Sequence, residues 1–135
     1  MKLIIVRGLP YSDRTIEAKR LARKKKTVRI SFTDIMGVIG GGVDDETCMR
    51  MAYNAAWQAA RTAFVRGYSV VLDEVNLGYG CIQPFIVLAN EKGASVEYVT
   101  VRTPVEECVR RARECDGDVE VVRYYHGLYH ALLEE

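Results

Sequence analysis

Residues 2–15 read Lys2-Leu3-Ile4-Ile5-Val6-Arg7-Gly8-Leu9-Pro10-Tyr11-Ser12-Asp13-Arg14-Thr15, and the fold turns on how they are read. Lys2 to Arg7 is a short, nearly continuous apolar run rich in β-branched residues. Such a run suits a strand buried on both faces, as in a parallel sheet. Gly8-Leu9-Pro10 ends it, and from Arg14 to Lys25 the pattern turns helical. Ile16, Ala18, Leu21 and Ala22 lie on one side of that helix, with Lys19, Arg20, Arg23 and Lys24 on the other.

Working outward, strands and helices alternate. Thr27–Ser31 reads as a second strand, Thr33–Val38 as a short helix, and Gly40-Gly41-Gly42 as its break. Asp44 or Asp45 offers an N-cap to a long helix running to about Arg66, closed by Gly67. That helix is apolar around much of its circumference, with Met49, Tyr53, Trp57 and Phe64 read as core or interface. Tyr68–Asp73 is a third strand, Ile82–Lys92 a helix entered near Pro84, and Ser95–Arg102 a fourth strand. Pro104 opens a helix to about Cys115, and a last helix runs from Val119 to Leu133 with a break at Gly127. The order implies right-handed crossovers and a parallel sheet covered on both faces.

Composition sets the class. The 135 residues fit one domain, 1–135, and 49 % hydrophobic residues supply a core without disulfides or metal. Cys48, Cys81, Cys108 and Cys115 form no C-x-x-C pair and read as reduced thiols. A formal charge of +1 argues against a polybasic coat or an acidic tail. The opening run is too short for a signal peptide, and no apolar stretch approaches the ~18 residues of a membrane span. A cytoplasmic protein with no membrane contact is expected.

A phosphate-binding loop reads G-x-x-x-x-G-K-[ST] between a buried strand and a helix. Here Gly8, Ser12 and Thr15 are in register, and Gly-x-Pro is a common opening. Tyr11 stands where a small residue is expected, Asp13 replaces the second Gly, and Arg14 replaces the Lys. The loop works because backbone N–H groups converge on phosphate oxygens at a helix N-terminus, and a Cβ obstructs that approach. A carboxylate ~4 Å from a phosphate would repel it by roughly 4 kcal/mol at an effective dielectric near 20, about a thousandfold in affinity. A planar guanidinium does not replace a compact ammonium in a tight cradle. Thr15 keeps a hydroxyl that could meet Mg²⁺. A plain strand-to-helix turn with Asp13 as N-cap is the competing reading.

Taken together, the chain resembles the P-loop kinase domain of phage-type 5′-polynucleotide kinases over nearly its full length. The resemblance implies a three-layer α/β P-loop fold of about four parallel strands with helices on both faces. It also implies ATP and Mg²⁺ as cofactors, weakly held or lost here, and phosphoryl transfer to a 5′-hydroxyl as the ancestral chemistry. In Ser31-Phe32-Thr33-Asp34-Ile35-Met36-Gly37, Asp34 matches the family's catalytic Asp, but Phe32, Thr33 and Gly37 replace its neighbouring Arg, Asp and Arg. Asp73-Glu74-Val75-Asn76-Leu77 matches a D-T-N-L segment, and Asp73 and Glu74 are placed like a Walker B acidic pair or a loop cap. On the helix after Pro104, Arg111 matches one arginine of the lid; the second position falls on Cys115, with Arg113 nearby.

Several departures at positions with different jobs suggest relaxed selection for catalysis. The leading expectation is a catalytically impaired domain kept for binding a nucleic-acid end, a protein partner or another subunit. An active kinase and a structural homo-oligomer are the alternatives. The basic stretch Lys19, Arg20, Arg23–Lys26 and Arg29 reads as a solvated helix end or a nucleic-acid contact. His126 and His130, at i and i+4, lack a third metal ligand nearby.

Overall fold

The computed structural model describes residues 1–74 and 79–133. The elements run β1 (Lys2–Arg7), α1 (Arg14–Leu21), β2 (Thr27–Ile30), α2 (Phe32–Ile39), α3 (Asp45–Val65), β3 (Ser69–Asp73), α4 (Tyr79–Glu91), β4 (Ser95–Thr100), α5 (Val105–Glu114) and α6 (Val119–Leu133). The strands form one sheet in the order β2-β3-β1-β4, and all pair in parallel. This is the expected P-loop kinase-like α/β architecture.

The apolar run of β1 is explained by its place at the centre of the sheet. Leu3 and Ile5 join Val70 and Leu72 of β3 in a core beneath α3 and α4, with Phe85 and Leu88 fully buried. Ile4 and Val6 face the other way and join Val71, Ala18 and Leu21 in a smaller core under α1. A third cluster joins α5 and α6 through Cys108, Val109, Ala112, Val122 and Leu133. Leu9, from the loop after β1, belongs to that third cluster, so the loop is packed into the α5–α6 pair.

Several boundaries differ from the sequence reading. Helix α1 stops at Leu21, and single tighter turns carry the chain through Arg23–Lys26 to a left-handed Lys26 (φ 56°). Four adjacent like charges on an exposed segment weaken a helix there. Helix α4 starts at Tyr79 and carries Pro84 inside it. The last helix kinks at Tyr129 rather than at Gly127. Along α3 one stripe is buried (Ala52, Ala56, Ala60, Ala63, Phe64), whereas Met49 is exposed. Strand β4 lies at a sheet edge and stays largely exposed. The Asn76-Leu77 match lies outside the described residues.

Candidate functional site

The carboxyl ends of β1, β2 and β3 converge where an open parallel sheet binds ligands. There the loop Gly8–Asp13 leads from β1 into α1. Gly8 is buried and tightly enclosed. A Cβ on it would lie 3.0 Å from Ser12 Oγ and 3.2 Å from the Val101 carbonyl. The Ser12 N–H donates to the Leu9 carbonyl (3.2 Å), closing a turn with Pro10 and Tyr11 at its centre. Tyr11 takes φ 64° there, a left-handed conformation that favours glycine. The position at which the sequence lacks its expected small residue is therefore a strained one.

Tyr11 is held by what its ring meets. A Cβ at Gly117, in the turn between α5 and α6, would lie 2.0 Å from Tyr11 Oη. The phenol reaches from the loop to the turn between α5 and α6 and fills the space that glycine leaves.

Asp13 occupies the N-cap position of α1, yet its carboxylate accepts no cap hydrogen bond. It turns instead toward α5 and accepts from Arg111 Nη1 (2.9 Å) and Thr103 Oγ1 (3.3 Å). Arg111 also donates to the Tyr11 carbonyl (3.1 Å) and, through Nε, to Glu107 (3.0 Å). The hydrogen bond that Arg111 donates to Asp13 leads the causes that raise the Arg111 pKa, so the guanidinium is held charged. The acid expected to repel a phosphate is thus already engaged by the arginine expected to clamp one.

Arg14 does not face the loop. Its Nε donates to Asp73 Oδ1 (3.1 Å), and its Nη1 is buried without a partner, as is Ser12 Oγ. Asp73 is 1 % exposed and also accepts from Arg29 through Nε (2.8 Å) and Nη2 (2.7 Å). Arg29 Nη1 reaches Asp34 Oδ2 at 2.7 Å. Burial opposes the charge on Arg29, but hydrogen bonds to Asp34 and Asp73 outweigh it and raise its pKa. The side chain of Asp34 remains 62 % exposed. Its N–H donates to Ser31 Oγ (3.3 Å), the N-cap of α2. Glu74 accepts from Ser31 Oγ and from the N–H and hydroxyl of Thr33, so it caps α2 instead of pairing with a cation. Thr15 is half-buried in the first turn of α1.

The structure therefore links Arg14, Asp73 and Asp34 through Arg29, pairs Asp13 with Arg111 in a separate contact, and places Gly8 and Ser12 in the loop. It corrects Arg29, which sequence grouped with the solvated basic stretch; the side chain is 16 % exposed and links Asp73 to Asp34. The available signal was an ionisable residue between Val28 and Ile30, in a strand adjacent to the one ending in Asp73. Thr103 and Gly117 left no such trace, because their roles depend on contacts made across the fold.

Asp73 meets Arg14 and Arg29, Asp34 meets Arg29, Asp13 and Glu107 meet Arg111, and Glu74 caps α2. In this arrangement each of these three arginines donates to a carboxylate of the same chain, the group type with which a bound polyphosphate would compete.

A sequence profile of the AAA domain family matches residues 3–122. The chain belongs to this family. Among solved structures, the AAA-family chain is similar to one in the Pnkp1/Rnl/Hen1 RNA repair complex, with TM-score 0.73 and 20 % identity over 91 % of this chain and 44 % of that one. A further Pnkp1/Rnl/Hen1 complex gives TM-score 0.71 and 21 % identity over 82 % of this chain and 38 % of that one. A putative kinase from Chloroflexus aurantiacus gives TM-score 0.72 and 18 % identity over 84 % of this chain and 65 % of that one. The AAA-family chain thus spans less than half the length of the chains it matches in the two complexes. No curated protein matches it. AAA and other P-loop domains in general bind nucleotide with Mg²⁺. No helix among the described residues is long and apolar enough to cross a membrane.

Proposed function

We propose that this chain is a degenerate, polynucleotide-kinase-like P-loop domain in which the scaffold persists as a binding module and phosphoryl transfer is impaired. One observation carries the reading: each arginine of the site is engaged by a carboxylate of the same chain. Arg111 holds Asp13, Arg14 holds Asp73, and Arg29 holds Asp73 and Asp34. Phosphoryl transfer depends on cations free to neutralise charge on the transferring group. Here the cradle is neutralised from within. The test is calorimetric titration of Mg-ATP to millimolar concentration. No saturable heat is expected from the natural sequence; micromolar saturation would overturn the reading.

A second reading, an active kinase acting on a 5′-hydroxyl, draws support from Asp34. Its carboxylate is exposed to solvent yet oriented by Arg29, as a base receiving a hydroxyl proton would be. Phosphate transfer from labelled ATP to a 5′-hydroxyl oligonucleotide, lost in Asp34→Asn, would establish that reading and sink the first.

A further inference from the structure

The opposite end of the sheet has the reverse electrostatic character. All four strands are parallel, so the segments entering them lie along one rim. Three contacts tie these segments side by side: Ser69 N–H to the Lys26 carbonyl (2.9 Å), Lys2 N–H to Ser69 Oγ (3.0 Å), and Ser95 N–H to the Met1 carbonyl (3.1 Å). In the order β2-β3-β1-β4, the rim therefore carries Arg23, Lys24, Lys25 and Lys26, then Arg66, and at the far side Lys92.

All of these cations are exposed except the half-buried Lys92, and none is ion-paired to a carboxylate among the described residues. Among the described residues, the acids at this end are Glu97, which is bound to Lys2 (2.8 Å), and the exposed Glu91. Sequence showed one basic run at a helix end. The topology adds Arg66 and Lys92 from distant parts of the chain.

We infer that this rim, at the strand N-termini, is a binding surface for the sugar-phosphate backbone of a nucleic-acid strand. Three strand spacings make the row roughly 15 Å long. That length spans several phosphates of an extended strand, and unpaired cations are what release counterions on binding. Tyr68, 38 % exposed, stands in the same row as a surface on which a base could stack. A membrane is the poorer fit. The cations sit on turns, not on the polar face of an amphipathic helix with an apolar face to insert. This inference does not rest on the reading of the phosphate loop.

The test is fluorescence anisotropy of the full chain with a 20-nucleotide single strand, labelled at its 3′ end and phosphorylated at its 5′ end. The 5′ phosphate leaves no acceptor hydroxyl, which keeps the kinase question apart. Binding is expected at 50 mM NaCl and should weaken with salt. For about four neutralised phosphates the slope of log affinity against log salt should be about −3. Lys24→Glu with Lys25→Glu should weaken binding at least tenfold and flatten the slope. Lys92→Glu, far away in sequence but on the same rim, should also weaken it. Arg50→Ala, an exposed side chain near the start of α3 and outside both the rim and the phosphate-loop site, should leave it unchanged. Unaltered melting curves for the surface variants would exclude unfolding as the cause of lost binding. Absence of binding at 50 mM NaCl would overturn the inference, as would indifference to the charge reversals. So would tighter binding to phosphatidylserine vesicles than to the oligonucleotide.

Discussion

Asp13 and Arg111 are the residues on which the state of the phosphate loop turns. Their contact, 2.9 Å long, sets a carboxylate of the loop against a guanidinium of α5. Replacing Tyr11 and Asp13 with Gly, and Arg14 with Lys, removes a Cβ obstruction, an anion and a planar head group together. The triple variant should bind Mg-ATP more tightly than the natural sequence in calorimetry. No gain would mean that the loop is not an eroded phosphate cradle. Gly117 invites a simpler test. A methyl there would push aside the Tyr11 hydroxyl, the outer end of an exposed side chain, so Gly117→Ala should cost about 1 kcal/mol in urea denaturation. Neutral behaviour would place the phenol elsewhere in solution.

At the scale of elements, α5 is laced by ion pairs among Glu107, Arg110, Arg111 and Glu114. The hydrogen bond from Arg110, with help from Arg111, lowers the Glu107 pKa to about 2 from its ordinary 4.5. A carboxyl lowered by folding adds stability above its ordinary value, and that stability is lost as pH falls through the folded value. The loss should therefore run from about pH 4.5 down to about pH 2. Glu107→Gln should flatten that part of a thermal-stability profile, and only modestly, because the pairs are exposed. An unchanged acid limb would remove Glu107 from the account. The elements themselves were legible in sequence, because β1 is apolar on two faces and β3 repeats the pattern beside it. Their ends were less so. Helix α4 begins at Tyr79, ahead of the Ile82 start read from sequence, and the exposed, like-charged Arg23–Lys26 end α1 early.

Across the whole molecule, Asp73 is the hinge between sequence and site. It is buried, it ends a central strand, and it holds the arginines of α1 and β2 together. Truncating one partner of a buried ionic network leaves the others uncompensated, so Asp73→Ala should cost about 3–5 kcal/mol of folding stability. A loss under 1 kcal/mol in equilibrium unfolding would mean that the arginines re-solvate freely. The parallel sheet and the acidic pair at the end of β3 were readable from the chain. The destinations of the arginines were not, because a guanidinium can serve a phosphate or a carboxylate and only the assembled fold decides between them. Arg14 shows the difference: sequence placed it in the phosphate cradle, and folding turns it to Asp73.

The contact between Tyr11 and Gly117 also bears on how such a loop can change over generations. While the phenol is present, any side chain at position 117 meets it, so substitution there is penalised. Once Tyr11 is replaced by Gly, the atoms that lie nearest a Cβ at 117 are gone. The two sites are then epistatic in a fixed order, the loop first and the distant turn second. Gly117→Ala should be harmful in the natural background and nearly neutral beside Tyr11→Gly. A lineage that filled position 117 first would have to cross a less stable intermediate, and one that opened the loop first would not.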